Sequence, residues 1–65
     1  MRLQTGSDLR AERARRGRVR LAYIARRIGR TASGLGTIER EDLPLSPALR
    51  EQIKDVFAEI DGATA

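Results

Sequence analysis

The sequence contains no cysteine and no histidine, and each absence excludes a class of site. Without cysteine the chain forms no disulfide, and without either residue it lacks the ligands that zinc most often binds. Cysteine and histidine nucleophiles and bases are missing for the same reason. A chain of 65 residues also has few residues with which to line a binding pocket. We therefore expect no metal, no cofactor, no small-molecule ligand and no enzymatic activity.

Long apolar segments are absent as well. No run of about 18 apolar residues occurs, which is the length that a membrane-spanning helix needs. The first ten residues, MRLQTGSDLR, lack the apolar centre of a signal peptide. The sequence therefore predicts a cytoplasmic protein with no membrane partner.

Lysine is almost absent, and arginine, which supplies twelve of the thirteen basic side chains, is concentrated in one half of the chain. Residues 1–30 hold ten arginines against two acids, a net charge of +8, whereas residues 31–65 hold three basic side chains against seven acids, a net charge of −4. A basic half joined to an acidic half indicates a face that binds a polyanion. The charge alone would serve RNA or acidic lipid as well as DNA.

Apolar residues recur at helical spacing, and no strand-like alternation occurs. Leu21, Ile24 and Ile28 follow the pattern of one helix face, and Gly29 directly after them suits a C-terminal cap. We expect a single all-α domain over residues 1–65, a compact bundle of four short helices that contains a helix-turn-helix. The predicted helices span about residues 7–17, 21–28, 32–40 and 47–60, and a short mobile tail follows Gly62.

Hydroxyl side chains mark three of the predicted helix starts. Ser7 is the expected N-cap of the first helix, Thr31 of the third, and Ser46 of the fourth, where proline follows at the first helical position. The first helix has a thin apolar face, which consists of Leu9 with the two alanines at positions 11 and 14. It is the weakest of the four patterns.

Small side chains dominate the third predicted helix. Leu35 and Ile38 would form its buried side, and the other positions from 32 to 37 are Ala, Ser, Gly or Thr. Two interior glycines cost about 2 kcal/mol relative to alanine in a helix. Either this segment is a loose loop, or it is a helix that comes close to something large.

Residues 21–40, LAYIARRIGRTASGLGTIER, resemble the helix-turn-helix of the Xre/Cro (lambda-repressor-like) family of DNA-binding proteins. The family pattern consists of Leu-Ala, Leu-Gly, a Ser or Thr cap, an apolar residue and Ile-Glu-Arg, and this chain follows its spacing without a gap. The matching positions are Ile24, Ala25, Ile28, Gly29, Thr31, Leu35, Ile38, Glu39 and Arg40. The resemblance implies that the third helix enters the DNA major groove as a recognition helix.

Three features depart from the family pattern. Leu21 stands where a polar residue usually grips a phosphate, and Arg20 stands where a Ser or Thr usually caps the second helix. No segment of these 65 residues is expected to form the family's fifth helix, which often helps its members to dimerise. These differences leave the dimer geometry open.

The resemblance also implies which residues contact DNA. Short side chains would let the backbone of the third helix approach the groove closely, while their hydroxyl and methyl groups touch base edges. The expected base contacts are Arg30, Ala32, Ser33, Gly36 and Thr37. The expected phosphate contacts are Arg18, Arg20, Thr31 and Arg40.

Two further roles follow from the resemblance and from the last helix. Glu39 is expected to be structural, as the partner of Arg10 or Arg13 in the first helix. The apolar stripe of the last helix is expected to be chiefly core, with Phe57 and Ile60 extending into a dimer contact. Since such modules bind two half-sites, a homodimer is expected at least on DNA.

These features predict a sequence-specific transcriptional regulator that binds a double-stranded DNA operator, namely a phage-like or autoregulatory repressor associated with the nucleoid. Two alternatives stay open. One is a protein-interaction module, an antirepressor or inhibitor that keeps the fold; the weak base-reading face favours it and the basic half opposes it. The other is a non-specific nucleic-acid binder, although the scarcity of aromatic side chains opposes stacking on single strands.

Overall fold

The computed structural model describes residues 1–63, and within them it contains four helices and no strand. The helices are α1 (Gly6–Arg15), α2 (Leu21–Arg27), α3 (Ala32–Arg40) and α4 (Pro47–Ala63). Their Cα atoms have a radius of gyration of 10.7 Å, the value expected of a compact chain of this length. The prediction of a compact all-α bundle of four helices is confirmed.

Helix α1 begins earlier than its sequence suggests. Its N-cap residue is Thr5 rather than Ser7, and the Asp8 carboxylate accepts hydrogen bonds from the backbone N–H groups of Gln4 (2.8 Å) and Thr5 (3.3 Å). The Ser7 N–H donates instead to Asp42 Oδ1 at 2.9 Å. The start of α1 is therefore fixed by two carboxylates, one close in sequence and one from the loop after α3.

The turn between α2 and α3 follows the prediction. Gly29 has a φ of +73°, a left-handed conformation that glycine adopts without strain. Thr31 Oγ1 accepts a hydrogen bond from the Gly34 N–H at 3.0 Å, as an N-cap should. Residues 32–37 are helical, so the alternative of a loose loop is wrong.

Helix α4 starts as predicted and ends later. Ser46 Oγ accepts a hydrogen bond from the Leu49 N–H at 3.2 Å, and Pro47 is the first helical residue. The helix continues past residue 60 to Ala63, because Arg16 binds the Asp61 carboxylate through Nε (2.7 Å) and Nη2 (2.9 Å) and so holds its last turn. The rest of the predicted mobile tail, residues 64–65, lies outside the described residues.

One apolar core joins the four helices. Its largest fully buried side chains are Leu9, Ile24, Leu35, Ile53 and Phe57, which come from all four of them. Complete burial of one such side chain contributes about 1.5–3 kcal/mol. Leu3 and Leu45 join the same core from the segments before α1 and α4. The core of this small domain therefore contains side chains from the connecting segments as well as from the helices.

The buried side of α1 differs from the predicted one. Ala11 and Ala14 are exposed, and the buried positions are Gly6, Leu9 and Glu12. Glu12 is buried as a charged group because two arginines at its own end of the helix bind it. The two alanines therefore did not predict which side of this helix is buried.

Gly6 lies where the start of α1 meets the backbone at the end of α3. A Cβ atom built on it would collide with the Ile38 carbonyl group and would lie 2.7 Å from Glu39 Cα. The Gly6 N–H donates to the Leu43 carbonyl oxygen at 2.9 Å, so the start of α1 is bonded to the segment after α3. Only glycine fits at this junction, and nothing in the neighbouring sequence indicates it.

Candidate nucleic-acid interface

Helices α2 and α3 pack against each other and are joined by residues 28–31. Ile24 and Leu35 are fully buried, Ala25 is nearly so, and Leu21 and Ile38 are half-buried against the core. Helix α3 also packs against α1. One side of α3 is therefore fixed by two neighbouring helices, and the other side is open.

The open side of α3 carries short side chains. Ala32 and Ser33 are exposed and Thr37 is half-buried, whereas Leu35 is fully buried. Since successive helical residues are about 100° apart, Ser33 and Thr37 lie one turn apart on the side opposite Leu35. Two of the predicted base-contact residues thus share the side opposite the core, and Ala32 is exposed at the start of the helix.

Gly36 faces a different neighbour. It is half-buried, and a Cβ atom built on it would lie 3.8 Å from Leu21 Cδ2 of α2, which is an ordinary contact distance. Its position is therefore next to the contact between α2 and α3, and it is less accessible than Ala32 or Ser33. The apolar Leu21 packs here instead of offering a polar group.

Two hydroxyl groups of this region are already hydrogen-bonded. Thr37 Oγ1 donates to the Ser33 carbonyl oxygen at 3.2 Å and accepts from Arg40 Nη2 at 3.3 Å. Thr31 Oγ1 accepts the Gly34 N–H as the cap of α3, which leaves its own proton for another acceptor. Thr31 is thus equipped to donate to a phosphate oxygen, whereas Thr37 already donates its proton to the backbone.

Arg13 is bound by Glu39, which links α1 to α3. Its Nε lies 2.8 Å from Glu39 Oε2 and its Nη2 lies 2.6 Å from Oε1, while its Nη1 donates to the Val19 carbonyl oxygen at 2.9 Å. The Glu39 side chain is only 8% exposed. The structural role expected of Glu39 is confirmed, and its partner is Arg13 rather than Arg10.

Arg16 is held from three sides. Glu12 Oε1 lies 2.6 Å from its Nη1, Asp61 binds it with both carboxylate oxygens, and its guanidinium carbon lies 4.4 Å from the centroid of the Phe57 ring. The hydrogen bond to Asp61 raises the pKa of Arg16 and lowers that of Asp61. Arg16 is therefore part of the structure and unavailable to a ligand.

This packing corrects one expectation for α4. Phe57 is completely buried beneath Arg16 and the core, so it offers no surface for a dimer contact in this conformation. Ile60 is half-buried and packs against the same core. Of the two residues predicted for the dimer contact, Ile60 alone has accessible surface.

Seven arginines form a second group, because they have no carboxylate partner within residues 1–63. The other three, Arg2, Arg15 and Arg27, bind carboxylates as Arg13 and Arg16 do. These seven are Arg10, Arg18, Arg20, Arg26, Arg30, Arg40 and Arg50. All four arginines predicted to contact DNA, at positions 18, 20, 30 and 40, belong to this group, and all four are exposed.

Four of these seven arginines, the ones predicted to contact DNA, lie close to the ends of α2 and α3. Arg20 is the residue before α2, Arg30 lies in the turn that leads into α3, and Arg40 is the last residue of α3. Arg18 has a φ of 65° directly after Gly17 at 79°, so the loop before α2 turns sharply there. Exposed cations therefore flank a helix pair whose open side is nearly neutral.

A shallow cleft of about 160 Å³ lies between α2 and α4 and has a charged rim. Arg27 and Glu59, which bind each other, stand on that rim above Ile28 and Val56. Pockets for small molecules are usually about 300–1,000 Å³, so this cleft is too small to serve as one. No residue of α3 lines it.

Comparison with known protein families, curated proteins and solved structures gives no significant match. Within the described part of the chain, no helix combines the length and apolar character needed to cross a bilayer. Over the same residues, no group of three or more acidic, His or Cys side chains is placed to hold a metal ion. A function has to be inferred from the geometry and charge of α2, α3 and the arginines around them.

Proposed function

We propose that the protein is a sequence-specific regulator of the Xre/Cro helix-turn-helix type, which binds double-stranded DNA through α3 and represses transcription by occupying an operator. The observation that supports this most is the division of the arginines. Carboxylates bind Arg13 and Arg16, in and directly after α1, whereas the four arginines predicted to contact DNA have no such partner within residues 1–63. Exposed cations around an open helix suit a groove bordered by phosphates.

The residues divide into two roles in this proposal. Arg18, Arg20 and Arg40 position the protein on phosphates, together with the hydroxyl proton of Thr31. Base edges are contacted from α3 and the turn before it, by Arg30, Ala32, Ser33 and Thr37. Gly36 would let the backbone of α3 approach the DNA closely and would make no side-chain contact.

The protein would act in the cytoplasm at the nucleoid, as a homodimer at least when it is bound to DNA. A single short helix reads few base pairs, and small helix-turn-helix modules reach useful affinity by occupying two half-sites. Of the two apolar residues predicted for a dimer contact, Ile60 is the one with surface left for a contact between the two copies.

A second candidate function is a protein-interaction module that keeps the same fold. It is favoured by the composition of α3, where no asparagine or glutamine is present to read adenine with two hydrogen bonds. Such a module would use the open side of α3 against another protein. The exposed arginines at both ends of α2 and α3 favour DNA over this candidate.

The proposal is tested by selection from a library of random duplexes, followed by fluorescence anisotropy with the selected duplex and a scrambled one. We expect the selected duplex to bind about 10³-fold more tightly, and the preference to persist between 50 and 200 mM salt. Equal binding that collapses with salt would leave a non-specific basic module. No binding to either duplex would favour the protein-interaction module.

Two substitutions with the same chemistry locate the DNA-binding side. Ala32 and Ala48 are exposed alanines in the first turns of α3 and α4, where a glutamate is compatible with the helix dipole. Ala32→Glu should weaken binding to the selected duplex by about 100-fold, because it brings a negative charge against the groove. Ala48→Glu should leave the affinity within about threefold. Equal losses from both would contradict a binding surface on α3.

A further inference from the structure

The open side of α3 offers few groups that can distinguish one base pair from another. Glu39 is bound to Arg13, and the hydroxyl of Ser33 is exposed. Within α3, Arg40 is the one side chain able to bind a base with two parallel hydrogen bonds, and it already donates to Thr37. The contacts that α3 can make with a base between Ser33 and Arg40 therefore depend on Thr37.

The hydroxyl of Thr37 is committed inside the helix. Its proton goes to the Ser33 carbonyl oxygen at 3.2 Å, and Arg40 Nη2 donates to the oxygen at 3.3 Å. A hydroxyl has one proton to give, so Thr37 cannot donate to a base unless it leaves the backbone carbonyl. The hydroxyl oxygen can still accept one hydrogen bond, and the other group that Thr37 offers is its methyl carbon, Cγ2.

In the major groove, the C5-methyl of thymine is the apolar group that marks one base among the four, and a threonine methyl is a suitable contact for it. We infer that Thr37 is a specificity-determining residue that selects thymine by contact between the two methyl groups. This inference rests on the proposed function, in which the open side of α3 faces the major groove. Ser33, one turn earlier, would supply a hydroxyl that can form a hydrogen bond with several different bases.

The size of the expected effect follows from the area that one methyl buries. Removing one such group from water contributes about 0.8 kcal/mol, which corresponds to about a fourfold change in affinity. Selection of thymine at the position that Thr37 contacts should therefore be modest. A larger preference for thymine at that position would require a hydrogen bond to its O4 atom, for which the Thr37 hydroxyl has no free proton.

Replacing thymine by uracil tests the inference, because it removes the methyl and keeps every hydrogen-bonding group of the base. Each thymine of the selected duplex is replaced in turn, and affinities are measured by anisotropy for the wild-type protein. We expect one replacement in each half-site to weaken binding by about fourfold. The scrambled duplex, measured in parallel, reports whether sequence-specific binding is present at all.

Two variants of Thr37 separate its methyl from its hydroxyl. Thr37→Ser keeps the hydroxyl and removes the methyl, so it should weaken binding to the thymine duplex by about fourfold and lose its sensitivity to that uracil. Thr37→Val keeps a methyl at the same branch and removes the hydroxyl, so its sensitivity to uracil should persist. Ser33→Ala serves as the control at the neighbouring position and should keep the wild-type response to uracil.

The outcomes distinguish this inference from the proposed function. A protein that prefers the selected duplex but responds to none of the uracil replacements would retain the function and overturn the inference. The same holds if Thr37→Ser keeps the full wild-type response to uracil. If the selected and scrambled duplexes bind equally, the proposed function fails, and the inference fails with it.

Discussion

Arg13 and Arg30 carry the same guanidinium group in contrasting surroundings. Arg13 is only 19% exposed and is joined to Glu39 by two hydrogen bonds, while Arg30 is exposed and has no carboxylate partner within residues 1–63. The same contrast runs through residues 1–30, where five of the ten arginines bind carboxylates. A basic half of a sequence is therefore not an equally basic surface, because half of its arginines are paired with carboxylates and two of these, Arg13 and Arg16, are nearly buried.

The largest effect is expected from breaking the pair between α1 and α3. Arg13→Ala leaves the Glu39 carboxylate nearly buried and without its partner, which should lower the free energy of unfolding by about 3–5 kcal/mol. Small domains are stable by only about 5–15 kcal/mol, so this loss would be a large fraction of the total stability. Urea denaturation followed by circular dichroism at pH 7 measures the change.

Two further variants make this prediction specific. Arg10→Ala removes an exposed arginine of the same helix and should change the free energy of unfolding by less than about 0.5 kcal/mol. The double variant Arg13→Met with Glu39→Leu should recover much of the loss, because no charge is left buried without a partner. If Arg13→Ala cost no more than Arg10→Ala, the distinction between the two groups of arginines would be wrong.

An intermediate effect is expected from Arg30→Ala. Its stability should stay within about 0.5 kcal/mol of wild type, but the slope of log K against log salt concentration should fall by about 0.9 if Arg30 contacts one phosphate. A guanine contact by Arg30 would instead cost about 1–3 kcal/mol of discrimination at one base pair. Anisotropy titrations at several salt concentrations on the selected and scrambled duplexes separate these two cases.

Lys54→Ala is the matched control for Arg30→Ala. It removes one positive charge from an exposed position of α4, where Lys54 pairs with Glu51 at 3.4 Å, so both variants have the same net charge. Its salt slope should equal that of the wild-type protein. If both variants lowered the slope equally, binding would follow net charge rather than a defined surface.

The smallest effect concerns pH. The hydrogen bond from Arg16 lowers the pKa of Asp61 below its ordinary value of 3.8, so Asp61 stabilises the folded chain above that pH and loses this contribution as the pH falls through its folded-state pKa. Asp61→Asn should therefore have a lower Tm than wild type at pH 7. The gap should close as the pH approaches 2.

Thermal unfolding by circular dichroism from pH 7 to pH 2 measures this gap. At 1 M salt the gap at pH 7 should narrow, because Asp61 is exposed and its interaction with Arg16 is screened. A difference in Tm that is the same at every pH would show that the ion pair does not stabilise this side of the fold.

Local chemical signals were enough to predict half of the helix boundaries, and the ends of α1, α2 and α4 and the start of α1 differ from the prediction. Gly29 with Thr31, and Ser46 with Pro47, place the starts of α3 and α4 correctly because caps and turns depend on residues that are neighbours in sequence. The start of α1 was missed although part of its signal is local, since Asp8 accepts a hydrogen bond from the Thr5 N–H three residues earlier; its other support, Asp42, is far away in sequence. The exposed alanines of α1 were missed because its real packing is set by Gly6 against α3.

The state of each arginine could not be predicted from the sequence alone. The pair of Arg13 with Glu39 spans 26 residues, and the pair of Arg16 with Asp61 spans 45. Whether such groups meet depends on how α1 packs against α3 and α4, which no local pattern contains. The family resemblance suggested a partner in α1 for Glu39 but could not choose between Arg10 and Arg13, and nothing suggested the position of Arg16 over Phe57.

The close approach at Gly6 has a consequence for how this chain folds. Gly6 touches the backbone of residues 38 and 39, so the end of α3 is secured only after the chain has closed a loop that contains all of α1 and α2. During synthesis, α2 and α3 would therefore emerge from the ribosome before α3 reaches its final position. A peptide of residues 21–40 would keep every feature of the family resemblance and still lack the rigid support that holds α3 in place.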